Sequence, residues 1–351
     1  MKSVAILIGN ITLGNGTERA VSNLANSLSL YGDYFVHIIS CSSVQGSSPY
    51  FLLNDKIIVH HIGITLSNKF NYFQLRREVI YICKNNKIDF LLGTTHSLNS
   101  ILAGINILGL KVIACEHMNY FAAPWYSRII RRFAYKKLDA VVLLTEKDRT
   151  HYSFCKHTFV IPNCVPQQET RSSCDNKVIL AVGRYTKQKG FDMLIQAFSL
   201  IHELIPDWRL RIVGQGEDEY LLKKLIVNYN LSDSIDLIPP TKAINKEYIN
   251  AGIFALSSRW EGFVLVLTEA KSFGLPSVSF DCPEGPSDIL IDKVDGFLVP
   301  PNDIKEFSQK LLKLAVDADL RKKFGIAAKE DIKRLSPIGV FEKWNSLFCN
   351  L

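Results

Sequence analysis

The chain has 351 residues, 47% of them hydrophobic and 21% charged, a balance that fits a soluble globular protein and excludes a disordered or fibrous one. A formal net charge of +7 suits an anionic ligand or an anionic membrane surface; with no nucleic-acid module and no long basic stripe, nucleic acid is not expected as a partner. Eight cysteines (Cys41, Cys83, Cys115, Cys155, Cys164, Cys174, Cys282 and Cys349) include no C-x-x-C pair, which fits free thiols in a reducing cytoplasm better than a disulfide or zinc framework.

A chain of this length outgrows one hydrophobic core, so two domains of roughly 150 to 180 residues are expected. The first apolar run, Val4 to Ile8, is too short for a secretory signal and is stopped by Gly9-Asn10, so it reads as a strand. Next comes Gly14-Asn15-Gly16-Thr17-Glu18-Arg19, then a stretch from Ala20 to Leu28 with apolar residues at helical spacing. A dinucleotide fingerprint needs glycine where Arg19 stands, and no Walker lysine follows. The loop is therefore either a tight turn or a set of amides offered to a phosphate. Strands are expected at 35–40, 57–61, 89–93, 111–115 and 140–144 with helices between several of them, an alternation that implies a parallel sheet covered on both faces. The longest apolar stretch, 101–115, is broken by Asn106 and Lys111 and falls short of the roughly 20 residues that span a bilayer, so a soluble or peripheral protein is expected.

His117 directly follows the strand at 111–115, at the edge where open sheets bind ligands. It reads either as a ligand-facing donor or as a histidine that caps the strand, and Glu116 has an equal claim to importance. In the segment 124–137, Arg128, Arg131, Arg132 and Lys136 share one side of a helix, with Ile129, Ile130 and Phe133 on another. The first expectation is that the apolar side packs on the sheet and the basic side is solvated; the alternative is that residues 125–137 lie on anionic lipid.

The segment Val160 to Pro166 closes the first series, and the polar stretch 167–177 reads as a linker. The expected division is thus 1–166, the linker, 178–335, and a terminal helix in 336–351. The second series opens with a strand at 178–182, the loop Gly183-Arg184-Tyr185-Thr186-Lys187-Gln188-Lys189-Gly190, and a helix from Met193 to Glu203. Arg184 can grip a diphosphate with a bidentate fork, and Lys189 adds a compact charge. A strand at 208–213, the turn Gly214-Gln215-Gly216, a helix at 220–229 and a strand at 235–238 lead to Pro239-Pro240-Thr241-Lys242.

The stretch from Phe254 to Ala270 begins as an apolar strand, breaks at Glu261-Gly262 and resumes as a helix-forming run carrying Glu269. Such a junction is where an open α/β sheet keeps its ligand crevice, and a first helical turn presents unpaired N–H groups to phosphate. Gly262 lets the backbone approach that ligand closely. Strands at 277–280 and 296–300 and helices at about 304–315, 318–329 and 339–348 complete the chain.

Glu261, seven residues, then Glu269-Ala270, followed by Gly274-Leu275-Pro276, resembles the signature of retaining family-4 glycosyltransferases. Gly183-Arg184, four residues, then Lys189-Gly190 is similar to their diphosphate-binding loop. The resemblance covers nearly the whole chain and is most specific from about 178 to 300. It implies the α/β GT-B fold: two Rossmann-like domains facing each other across a cleft, with 1–166 on the acceptor side, 178–335 binding the nucleotide sugar, and the last helix packing back on the first domain.

The resemblance also implies roles. Arg184 and Lys189, with amides near Gly262, Phe263, Val264 and Leu265, would neutralise the diphosphate leaving group. Glu261 would orient the transferred sugar without acting as a covalent nucleophile, and Glu269 would hold the ribose. Gly14, Gly16 and Gly214 would lie near the nucleotide, and His117 would donate to a sugar hydroxyl or help hold the leaving group. No cofactor is implied, and with no D-x-D or ligand cluster no dedicated metal is expected. The segment 281–290 is similar to bacterial members acting in capsule, exopolysaccharide and lipopolysaccharide synthesis. The implied partners are a UDP-linked hexose or N-acetylhexosamine and a glycan or lipid-linked oligosaccharide acceptor, the implied location the cytoplasm or the inner face of the cell membrane. Val264 stands where many relatives have a small residue or proline, and Thr268 where an aliphatic one is common, which leaves the sugar open. Two other readings stand beside this one: a UDP-sugar 2-epimerase of similar shape, and a noncatalytic nucleotide-sugar-binding scaffold subunit, which the joint presence of Arg184, Lys189, Glu261 and Glu269 disfavours.

Overall fold

Strands buried on both faces read as continuous Val/Ile/Leu runs, and such runs form parallel sheets joined by crossover helices. The computed structural model describes residues 1–66, 69–118, 120–283 and 285–351, without the side chains of Lys69 and Ala122; Asn119 and Glu284, in two of the segments read above, lie outside the described residues. It divides into two compact units, Met1–Cys164 with Leu335–Leu351, and Val165–Arg334.

The first unit holds seven strands: β1 (Lys2–Ile8), β2 (Tyr34–Ser40), β3 (Ile58–His61), β4 (Phe90–Gly93), β5 (Lys111–Cys115), β6 (Ala140–Leu143) and β7 (Thr158–Val160). All pair in parallel in the order β3-β2-β1-β4-β5-β6-β7. The three-residue edge strand β7 is too short to register in the hydrophobic pattern. Helices α1 (Gly16–Tyr31), α2 (Lys69–Asn85), α3 (His96–Leu102), α4 (Trp125–Ala134) and α5 (Glu146–Arg149) fill the crossovers.

One face of this sheet is covered by α1 and by the last helix, α13 (Pro337–Asn350), whose Val340, Trp344 and Phe348 join the core beneath α1. Phe348 stacks on Phe90 at 4.3 Å, and the Tyr34 hydroxyl donates to Asn345 at 2.7 Å. The other face is covered by α2, α3 and the helical segments following β5 and β6, through Leu75, Val79, Leu98, Leu102, Tyr135 and Tyr152.

Helix α4 is turned over relative to the first expectation from its sequence. Ile129, Ile130 and Phe133 are 50%, 53% and 66% exposed, whereas Arg131 is buried. The cause lies on β5. Glu116, at its end, is buried and lies 3.7 Å from Arg131, which also donates to the Tyr152 hydroxyl at 2.6 Å. A buried carboxylate stripped of its partner costs about 3–5 kcal/mol, so the guanidinium is drawn inward. Residues two along a helix are about 200° apart, and Ile129 and Phe133 must then face away from the sheet.

The second unit holds β8 (Val178–Val182), β9 (Arg209–Val213), β10 (Ile235–Ile238), β11 (Ile253–Leu256), β12 (Ser277–Phe280) and β13 (Gly296–Val299), all parallel, in the order β10-β9-β8-β11-β12-β13. Its helices are α6 (Phe191–Ser199), α7 (Glu219–Asn228), α8 (Ile244–Ile249), α9 (Leu265–Ser272), α10 (Pro286–Ile289), α11 (Ile304–Val316) and α12 (Ala318–Asp331). Helix α6 ends at Ser199, short of the Glu203 expected, and a 3-10 turn over His202–Leu204 follows. The polar segment before β8 is bound into this unit: the Ser172 amide donates to Phe273 at 2.8 Å, and its hydroxyl donates to the Ala251 carbonyl.

In both sheets the strand order reverses beside the first strand, between β1 and β4 and between β8 and β11. Open sheets place their ligands at such switch points, outside the carboxyl ends of the strands. Arg131→Met should destabilise the chain by about 3–5 kcal/mol, and adding Glu116→Leu should restore most of that loss, because an apolar pair replaces a stranded charge. Urea unfolding of both variants measures the coupling.

Candidate functional site

At the switch point of the second sheet the loop after β8 and the loop after β11 are laced together. Gly190 ends the first loop in the left-handed region (φ +63°), and a Cβ there would stand 2.2 Å from the Ser257 carbonyl oxygen. Only glycine permits that approach. The Ser257 hydroxyl donates to the Lys189 carbonyl at 2.9 Å, the Arg259 amide to Gln188 at 2.8 Å, and the Gln188 side chain to the Trp260 carbonyl at 3.0 Å. Arg259 forks onto both carboxylate oxygens of Asp192, in the first turn of α6, at 2.8 and 2.6 Å. Burial works to raise the Asp192 carboxyl, but the hydrogen bonds and charge of Arg259 outweigh it and hold the carboxyl below its ordinary value.

This lacing delivers the central contact, in which the Lys189 ammonium sits 2.6 Å from Glu261 Oε1. The Ser258 hydroxyl donates to the same oxygen at 2.5 Å. Glu261 is buried and Lys189 nearly so. Cys282 lies beside the pair; burial, and then the Glu261 charge, push its thiol up to about 12, so it is an inert apolar wall at neutral pH. The Arg184 side chain is exposed and makes no hydrogen bond or ion pair among the described residues.

The loop after β9 closes a third side. A Cβ on Gly214 would lie 1.8 Å from the Gly183 carbonyl oxygen, and the Tyr185 amide donates to Gln215 at 2.9 Å. The buried Tyr185 hydroxyl donates to the Ile212 carbonyl at 2.8 Å, pinning the middle of the cationic loop to the sheet. Gly262 turns its carbonyl toward Gly285, where a Cβ would come within 2.2 Å. Helix α9 begins after Val264 without a side-chain cap. The Leu265 amide is turned onto the Phe263 carbonyl at 3.1 Å, whereas the amides of Phe263 and Val264 make no hydrogen bond among the described residues. One turn further, Glu269 accepts from the Tyr248 hydroxyl at 2.9 Å, and Tyr248 stacks on Phe273 at 5.3 Å.

Beneath α9 lies a charged cluster with no access to solvent at its centre. Lys271 is fully buried and holds Asp295 at 2.6 Å, Asp331 at 2.5 Å and the Ile289 carbonyl. It ties the helix carrying Glu269 to the segment before β13 and to α12. Nothing in its immediate sequence marks Lys271 as a core residue. Arg259, Asp192 and Tyr248 likewise escape a reading of motifs, because each acts on a partner distant in the chain; Ser258 acts on Glu261 only three residues on, and the repeated serines before Glu261 hint that hydroxyls are wanted there.

Lys189, Glu261, Gly262, Phe263, Val264 and Leu265 thus gather on one edge of the second sheet, with Arg184 and Gly214 on the adjoining loops. Gly14, Gly16 and His117 belong to the first unit. Gly14 lies in the loop after β1 and Gly16 opens α1, at that sheet's switch point, where a Cβ on Gly14 would press on the Tyr50 ring at 2.8 Å. Glu18, in the first turn of α1, is buried, and its Oε2 has no hydrogen-bond partner among the described residues. His117 follows β5 and, with Glu116, borders a small cavity walled by Ala20, Leu24, Cys164 and Trp344. Its enclosed Nδ1 has no partner among the described residues, and burial lowers its ring to about 4, so the imidazole is neutral at physiological pH. Glu116 is spent on structure, accepting from Asn99 and Tyr135 and facing Arg131.

Among the described residues no three His, Cys, Asp or Glu side chains converge to hold a metal ion, and no helix is long and apolar enough to cross a membrane. Cations and a helix N-terminus at a sheet's carboxyl edge, beside a fixed carboxylate, are suited to receive an anionic ligand. Residues 167–331 match the family described as glycosyl transferases group 1. The chain is 33% identical to an uncharacterized glycosyltransferase of Haemophilus influenzae, over 89% of this chain and 90% of the relative. It is 30% identical to the amylovoran biosynthesis glycosyltransferase AmsD of Erwinia amylovora, over 99% of each. A crystal structure of a mutant of S. aureus TarM, in complex with fondaparinux, α-GlcNAc-glycerol and UDP, superposes with a TM-score of 0.84 at 16% identity, covering 99% of this chain and 100% of that one, a likeness of fold. The chain belongs to the group 1 glycosyltransferases and is a glycosyltransferase enzyme with the GT-B fold of two Rossmann-like domains.

The buried histidines set an acid limit. Burial, aided by the neighbouring His60, also lowers His37 to about 4. An unfolded histidine titrates near 6.5, so between about pH 6.5 and 4 the unfolded chain binds more protons than the native one. Stability is therefore expected to fall as pH drops through that window and to be insensitive to these two groups above it. Thermal midpoints from pH 7 to 4.5 should decline, and less steeply in His37→Gln.

Proposed function

We propose that this enzyme transfers a hexose or N-acetylhexosamine, with retention of configuration, from a UDP-sugar to a glycan or lipid-linked oligosaccharide acceptor in surface-polysaccharide synthesis. It would work at the inner face of the cell membrane, with residues 125–137 in peripheral contact with lipid. The observation that carries the reading is the Lys189–Glu261 contact at the switch point of the second sheet, flanked by exposed Arg184 and by the amides of Phe263 and Val264, which have no partner among the described residues. The name of AmsD supports a role in polysaccharide synthesis, and the UDP in the TarM complex supports the nucleotide.

The residues divide the work by charge. As the bond from the anomeric carbon to the diphosphate breaks, negative charge gathers on the phosphate oxygens. Arg184 would meet it as an exposed planar fork and Lys189, largely shielded from water, as a point charge. Glu261 accepts hydrogen bonds from the hydroxyls of the transferred sugar. Because one of its oxygens is already held by Lys189 and Ser258, the carboxylate is oriented before the sugar arrives. Glu269 accepts from the ribose hydroxyls, with Tyr248 fixing its rotamer. The acceptor hydroxyl attacks from the face the diphosphate leaves, and the departing phosphate oxygen takes its proton, so no protein nucleophile is needed. His117, neutral, would donate to a sugar hydroxyl.

Purified protein incubated with UDP-, GDP- and ADP-sugars and membrane extract should release nucleotide from one UDP-sugar. Glu261→Ala or Lys189→Ala should lower transfer at least tenfold, about 1.4 kcal/mol of transition-state stabilisation. Unchanged rates in folded variants would remove the site assignment, and donor binding without nucleotide release in any extract would favour a scaffold role.

A further inference from the structure

Helix α9 has eight residues and begins without a side-chain cap. A helix that short is marginal by itself, so its place in the fold is set by what its side chains grip. Residues two apart on a helix point about 200° away from one another, so Glu269 and Lys271 leave α9 on opposite sides. Glu269 is half-buried and is met by the Tyr248 hydroxyl at 2.9 Å. Lys271 runs the other way, into the body of the unit, and is fully buried.

The Lys271 ammonium spends its protons on acceptors from three separate segments: Asp295 before β13 at 2.6 Å, Asp331 at the end of α12 at 2.5 Å, and the carbonyl of Ile289, the last residue of α10, at 2.5 Å. These acceptors are themselves tied. Asp295 accepts from the Ile291 amide at 2.9 Å, while Arg334 donates to Asp331 at 3.0 Å and to the Asp288 carbonyl at 2.8 Å. Burial works to raise the Asp331 carboxyl, but Lys271, and then Arg334, outweigh it and hold the group below its ordinary value. The far end of α10 reaches the ligand edge: a Cβ on Gly285, its N-cap, would stand 2.2 Å from the Gly262 carbonyl oxygen and 3.1 Å from the Val264 side chain. One buried ammonium thus spans the helix that carries Glu269 and the short helix that backs the Gly262 turn.

Stability is a poor reason for such a group. Taking an ammonium and two carboxylates out of water cancels most of the attraction between them, and apolar side chains fill the same space without that cost. The cluster adds direction. An apolar side chain can slide along its neighbours, whereas charge-assisted hydrogen bonds to three segments fix where the ammonium stands. We propose that Lys271, held by Asp295 and Asp331, is a positioning residue of the donor site, setting the placement of α9 so that Glu269 meets the ribose hydroxyls at hydrogen-bonding distance. It touches no substrate and acts only through α9 and α10.

This role rests on the reading of Glu269 as the ribose ligand, and the test separates the two. Dissociation constants of the full chain are measured by calorimetry for UDP and for its 2′,3′-dideoxy analogue, which lacks both ribose hydroxyls; GDP or ADP and its dideoxy form are used if one of those binds in place of UDP. A hydrogen bond from a hydroxyl to a carboxylate is worth about tenfold or more, so the wild type should prefer the ribose form by about that factor and Glu269→Gln should lose most of the preference. The triple variant Lys271→Met, Asp295→Asn, Asp331→Asn leaves no buried charge stranded, and it should lose the preference likewise although Glu269 is intact. Asp331→Asn alone, at a partly accessible position, should lose part of it. The ratio of two constants measured on one sample does not depend on the fraction folded, and a general loosening lowers both affinities alike. A cluster that serves stability alone therefore leaves the ratio at its wild-type value. That result in both cluster variants, with the preference lost in Glu269→Gln, would overturn the proposal and leave the ribose reading standing. A wild type that binds both forms equally or binds no nucleotide, or a preference that Glu269→Gln leaves untouched, would overturn the ribose reading and the proposal together. Nucleotide release in the Glu261 and Lys189 variants is a separate readout and is decided by neither result.

Discussion

A carboxylate removed from water has to find a cation, and in this enzyme that requirement places the parts that matter. In the second unit Glu261 is met by Lys189, in the first Glu116 is met by Arg131, and beneath α9 two aspartates are met by Lys271. Each pairing joins segments far apart in the chain, and each couples a loop or helix at the functional edge to the body of its unit. The desolvation cost of such groups makes them doubtful sources of stability. Their effect is on geometry: a buried charge has few places to go, and the backbone that carries it is correspondingly fixed.

The second unit adds close backbone approach to charge pairing. Gly190 against Ser257, Gly214 against Gly183 and Gly285 against Gly262 bring four loops together at distances no side chain would tolerate. The result is a rim whose cations, amides and carboxylate are set before a ligand arrives, which is the condition under which electrostatic stabilisation of a leaving group is most effective. Lys189 already has an anionic neighbour in Glu261. On the proposed reading an incoming diphosphate would share the lysine with that existing contact, and the same residue would link the leaving group to the carboxylate proposed to orient the sugar.

The first unit uses the same physics on a different scale. Turning α4 so that Arg131 reaches Glu116 leaves Ile129, Ile130 and Phe133 in solvent. In water alone that arrangement forfeits apolar burial.

Much of this was legible in the sequence by itself. The uninterrupted apolar runs at 4–8, 140–143 and 178–182 coincide with strands because parallel strands are buried on both faces and need no alternation. The glycine and charge spacings at 183–190 and 261–269 fall on two loops that meet at the carboxyl edge of the second sheet, and the glycines are legible in sequence because they act through local backbone shape. What only the tertiary structure decided are the facts that depend on partners distant in the chain. Helical periodicity separates the two sides of α4 but carries no information on which of them faces the sheet; that choice was made by Glu116, fifteen residues before Arg131 and on another element. Lys271 reads as an ordinary helix-surface lysine until Asp295 and Asp331 fold around it. Local pattern reports a residue's preference for its own backbone, whereas burial of charge is settled by whichever opposite charge the fold brings within reach.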